Sequence, residues 1–63
     1  MKVITRVNEY LDSDKEIYIE SLNGGSCVKV KKEQNFFLQF GEKVANTKVK
    51  RTDITETLVT ILI

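Results

Sequence analysis

The side chains able to do chemistry in this 63-residue chain are few: it contains no histidine and a single cysteine, Cys27. Without imidazole the commonest general base is missing, and neither a Ser-His-Asp nor a Cys-His relay can be assembled. One thiol plus carboxylates falls short of the usual soft ligand set for zinc. Asp12, Asp14 and Glu16 have the opening spacing of a calcium loop. Its sixth position, however, is Ile17 where glycine is required, and its twelfth is Asn23 where glutamate is required. The same carboxylates have the types for glycoside chemistry, but so short a chain has no room for a cleft that raises the pKa of one of them. Gly24-Gly25 is too short for a phosphate cradle and is explained by a turn. The expectation is a non-enzyme, with no catalytic residue, cofactor, metal or small-molecule substrate.

What remains is binding chemistry. The net charge is only +1, but it is unevenly spread. Residues 8–26 hold five carboxylates and one lysine, whereas residues 27–51 hold seven cations and two carboxylates. Lys29, Lys31, Lys48, Lys50 and Arg51 are candidate phosphate contacts, with Tyr18, Phe37 or Tyr10 as platforms on which bases stack. A dedicated nucleic-acid binder of this size is usually basic overall. A bipolar chain suits charge pairing across antiparallel strands or a self-complementary interface, so a protein partner ranks first and single-stranded nucleic acid second.

These residues need elements to position them. Proline is absent and β-branched residues abound. The opening "KVITRV" (2–7) is read as a strand for its β-branched content, although Val3, Val7, Tyr10 and Leu11 also fall on one helical face. "DSDK" (12–15) reads as a turn. "EIYIESLNGGSCVKVKK" reads as a hairpin closed at Asn23-Gly24 or Gly24-Gly25. Both registers put Ile17, Ile19, Val28 and Val30 inward, with Tyr18, Glu20, Lys29 and Lys31 on the opposite face. Cys27, beside the turn, reads as a semi-buried structural thiol. "NFFLQF" (35–40) reads as a strand with Phe36, Leu38 and Phe40 inward and Phe37 outward, and "GEK" as the turn after it. "TKVKRT" (47–52) reads as an edge strand, and 52–56 as one capped helical turn because Asp53 precedes Glu56 at capping-box spacing.

The end of the chain, "TLVTILI", has no charge in seven residues. Left exposed it would aggregate, so it is expected either as a central strand covered on both faces or as an oligomer interface. Leu58, Val59, Ile61, Leu62 and Ile63, together with Phe37, are the candidate interface residues.

The opening "MKVITR", the hairpin "EIYIESLNGGSCVKV" and the later "VKR" resemble the strand order of carbon-storage-regulator-type RNA-binding dimers. The resemblance implies an RNA-contacting role for an arginine near the fifth strand, which would fall on Arg51. "NFFLQFGEKVAN" has no counterpart in that family, and "TLVTILI" stands where the family carries a C-terminal helix.

A chain this short buries only about 60% of the surface its unfolded form exposes. With no disulfide available, oligomerisation is the remaining supplement to its core. A lone cysteine and no secretory leader suggest a cytoplasmic protein, complete from its initiator methionine, and no apolar run is long enough for a membrane span. Residues 1–63 are read as one antiparallel all-β domain of about five strands, an SH3-like or OB-like barrel or a meander. It would act as a binding protein that self-associates or occupies a larger partner as regulator or inhibitor.

Overall fold

The first segment is a helix. In the computed structural model, which describes all of residues 1–63, α1 runs from Val3 to Tyr10 and buries Val3 and Val7 completely. Its i, i+4 spacing defeats the strand preference of its β-branched residues because tertiary burial outweighs a propensity difference of a few tenths of a kcal/mol per residue. No side chain caps its start; instead the Val3 N–H donates to the Thr47 carbonyl at 2.9 Å. That cap comes from 44 positions away along the chain.

β1 (Glu16–Glu20) and β2 (Cys27–Lys29) form the expected antiparallel hairpin, with Ile19 opposite Val28. This is the register of an Asn23-Gly24 turn, but the loop is longer. Ser21 N–H donates to the Ser26 carbonyl and Gly25 N–H to the Ser21 carbonyl, each at 2.8 Å, and Gly25 takes φ +66°. Ile17, Ile19 and Val30 are buried as expected, whereas Val28 is 46% exposed, because β2 is the outer strand and no layer covers that end of it. Cys27 is exposed, not semi-buried.

"NFFLQF" is also helical. Asn35 caps α2 (Phe36–Gln39), its Oδ1 accepting from the Phe37 N–H at 2.8 Å. Phe36 and Phe40 are spaced i, i+4 as well as i, i+2+2, so the same apolar pattern serves a helix. Their rings stack with centroids 4.8 Å apart and face the core, while Leu38, expected inward, is 86% exposed. Gly41, at φ +89°, turns the chain directly into α3 (Glu42–Ala45), where only a turn was expected.

β3 (Arg51–Ile54) and β4 (Leu58–Leu62) form a second hairpin. The capping-box reading of 52–56 fails because Asp53 is paired in the ladder opposite Thr60. Thr55 makes the turn instead: its N–H donates to the Leu58 carbonyl at 2.8 Å and its Oγ1 accepts from the Leu58 N–H at 3.0 Å. Of "TKVKRT", only Arg51 and Thr52 belong to the strand.

The sheet order is β2-β1-β4-β3, with β4 parallel to β1 and antiparallel to β3. A parallel neighbour requires a crossover, which the segment carrying α2 and α3 supplies. The chain is therefore a small mixed α/β domain of four open strands and three helices, not an all-β barrel or meander. The resemblance in strand order to carbon-storage regulators does not extend to the fold, since its first strand is α1.

One cluster unites the two layers: Val3 and Val7 from α1, Phe36 from α2, Ala45 from α3, and Ile17, Ile19, Val30, Val59 and Ile61 from the hairpin and β4. All the sheet residues in it share one face. Burying each such side chain stabilises the fold by roughly 1.5–3 kcal/mol before entropy is counted. The apolar C-terminal segment is thus a central strand, as one of its two expected readings had it, but the helices cover only one of its faces.

Candidate functional site

Because side chains alternate along a strand, the registers define the face opposite the helices. Across its middle run Lys29, Tyr18, Thr60 and Asp53, on β2, β1, β4 and β3; the next row is Cys27, Glu20, Leu62 and Arg51. Glu16 and Leu58 begin a third. Leu62 is buried yet stands outside the core cluster, so it is the floor of this second face. Tyr18, Thr60 and Leu58 around it are half-buried, and no helix lies over them.

The charges of this face are largely matched. Lys29 Nζ donates to Glu16 Oε1 at 3.0 Å, and Arg51 pairs with Asp53 at 3.2 Å along its own strand. The Glu16 carboxylate, through that hydrogen bond and then its charge, holds the Lys29 ammonium above its usual 10.5. With Glu20 added, three carboxylates face two cations, a poor reception for phosphate.

Beside the β1–β2 end lies a cleft of about 350 Å³, lined by four lysines, three carboxylates and Val30. Three of its ammonium groups are committed. Lys15 Nζ donates to the Thr55 and Glu56 carbonyls at 2.6 and 3.1 Å, Lys32 Nζ to the Ser13 carbonyl, and Lys29 to Glu16. Lys15 thus ties the β1 entry to the β3–β4 turn, while Lys32 and Lys29 tie β2 and its exit to the β1 entry; only Lys31 has an ammonium without a partner. The cleft holds its shape through its own ion pairs and capping contacts and has little charge left for a ligand.

Of the candidate nucleic-acid residues, the fold brings Tyr18, Lys29 and Arg51 to one face. Lys48 is elsewhere, in an isolated antiparallel bridge with Lys2, where Val49 N–H donates to the Met1 carbonyl at 2.8 Å. Lys50 precedes β3 and donates its N–H to the Leu62 carbonyl. Of the candidate interface residues, Val59 and Ile61 are fully buried in the core and Ile63 packs against it. Leu58 and Leu62 belong to the open face, and Phe37, 48% exposed, sits on α2 in the helical layer. The six therefore do not form one surface.

Sequence reasoning missed Gln39. Its side chain lies along the outer edge of β2, Oε1 accepting from the Lys31 N–H and Nε2 donating to the Lys29 carbonyl, both at 2.8 Å. An amide that accepts from one residue and donates to the carbonyl two residues earlier imitates a neighbouring strand. Only the helical reading of "NFFLQF" would have pointed this side chain at β2.

No family model matches the chain, and neither a curated protein nor a solved structure matches it. No helix is long and apolar enough to cross a membrane.

Proposed function

We propose that this is a non-enzymatic binding module that acts through protein–protein contacts, with self-association as its first mode. The observation that supports it is the sheet covered on one side only, with Leu62, Leu58, Tyr18 and Thr60 forming a neutral centre and paired charges around it. A neutral centre inside a polar rim is the composition of a protein interface. Occupation of a larger partner, as regulator or inhibitor, would use the same face. The chain offers no general base of the usual kind beside its cleft, and the cleft's lysines are engaged structurally.

One observation favours nucleic acid as the second reading. Lys2 and Lys48 face each other across a bridge, a like-charge pair that destabilises the fold unless an anion neutralises it. Lys31, Lys43 and Lys50 likewise form no ion pair.

Sedimentation equilibrium over a wide concentration range, with and without a single-stranded oligonucleotide, separates the two. The expected result is a mass that rises above the 7.2 kDa monomer with protein concentration and ignores the oligonucleotide. A monomer at every concentration that sediments with the oligonucleotide, and loses it steeply as salt is raised, would overturn the first reading for the second.

A further inference from the structure

We propose that two copies of the chain pair edge to edge along β3, in an antiparallel register centred on Thr52; this rests on the self-association reading above but uses the sheet edge beside the open face rather than the face itself. β3 is an outermost strand, and no backbone hydrogen bond from outside the sheet reaches Arg51–Ile54. Thr55 bonds its ladder partner Leu58, so by alternation Asp53 and Arg51 bond β4, and the peptide groups of Thr52 and Ile54 point away from the sheet. An unpaired edge of this kind is a template for another strand.

The charges select both the occupant and the register. Centring a two-fold axis on Thr52 puts Arg51 opposite Asp53 of the second copy, and Asp53 opposite its Arg51. These are non-hydrogen-bonded positions, where side chains approach most closely. Moving the centre to Asp53 would set two aspartates against each other. A strand whose charges are mirrored about one residue is its own complement, which an isologous interface requires. On the axis Thr52 lies opposite the same residue of the second copy, as a hydrogen-bonded pair whose backbone groups both point outward. The product is one eight-stranded sheet whose two open faces become continuous.

The test is charge exchange. Arg51→Asp gives Asp-Thr-Asp and Asp53→Arg gives Arg-Thr-Arg, both on exposed side chains whose change leaves the circular dichroism spectrum unaltered. Each variant alone should self-associate at least roughly tenfold more weakly than wild type, since like charges then face each other twice. An equimolar mixture should recover association as a heterodimer. In the wild type, amide exchange at Thr52 and Ile54 should slow as concentration rises while that at Lys31 stays constant. If the wild type associates but both variants associate equally well alone, the edge proposal fails and the self-association reading stands. If the wild type remains monomeric into the millimolar range, both fall.

Discussion

At the β2 edge, the Gln39 amide meets the outward N–H of Lys31 and carbonyl of Lys29, so this end of the strand is closed to a neighbour. At the β3 edge, on the opposite side of the sheet, no side chain and no loop performs that service. The two outer strands are similarly short, similarly exposed and each paired on one side only. Their difference teaches that edge protection here is an active device, built from a helix that must be docked to work. An edge without the device, carrying Arg51 and Asp53 in mirrored positions, is the better place to look for a partner.

The docking of α2 is the strongest lever on this contrast. Phe36 anchors α2 in the core and Gln39 rides on it, so Phe36→Ala should cost about 3–5 kcal/mol and expose the β2 edge as well. In a domain this small that approaches the whole stability, and urea titration should show little cooperative unfolding. A midpoint close to that of wild type would mean that α2 is not held by Phe36.

Gly41 sets the direction of α2 relative to α3 at φ +89° and ψ 167°, a conformation open essentially to glycine alone. A Cβ there would meet no atom within 4 Å, so the cost of Gly41→Ala is backbone strain, about 1–3 kcal/mol. Thermal unfolding checks it; an unchanged transition would refute the strain argument.

Gln39→Ala removes two hydrogen bonds at an edge that water can reach, which should cost about 1–2 kcal/mol. Its sharper signature is local. In the wild type at low concentration the Lys31 amide should exchange more slowly than those of Thr52 and Ile54, and the substitution should erase that difference. Equal exchange at both edges in the wild type would abolish the comparison itself.

The smallest effect concerns the Lys29–Glu16 pair beside the closed edge. The Lys29 pKa is raised in the folded state, so its stabilisation is fully present below 10.5 and lost as pH rises through the higher folded value. Glu16→Gln should return the Lys29 titration, followed by NMR, toward 10.5. Because both side chains are about half exposed, the stability change should be slight and should shrink with added salt. A Lys29 titration unmoved by the substitution would rule out Glu16 as the cause.

Some of this was legible in the residues. Alternation in "EIYIE" and around Val28–Lys29 fixed the face assignments of the first hairpin but left its two registers open, and the structure adopts the one with Ile19 opposite Val28. The uncharged run from Thr57 narrowed β4 to a central strand covered on both faces or an oligomer interface; the structure makes it central, with one face covered by helices. Tyr18, Lys29 and Glu20 were correctly put on one face. Other elements were misread for definable reasons. Val3, Val7, Phe36 and Phe40 have spacings that fit either a strand or a helix, and local propensity pointed to the wrong one in α1. Asn35 as a cap and the i, i+4 phenylalanines were the overlooked signals for α2. For α1 no local cap exists, since the Thr47 carbonyl does that work.

The sequence by itself determined that no histidine relay and no intramolecular disulfide can form, the inward residues of β1, and the division of β4 into two apolar faces. It did so because composition and two-residue alternation are local properties, readable without knowing what lies beside them. Tertiary structure alone decided that β1 and β4 run parallel, that three helices cover a single face, and that Gln39 closes the end of one edge while Arg51, Thr52 and Asp53 remain open at the other. Those outcomes depend on which distant segments share a ladder or a carbonyl, and hydrogen bonds between residues forty positions apart leave no periodic trace in the chain.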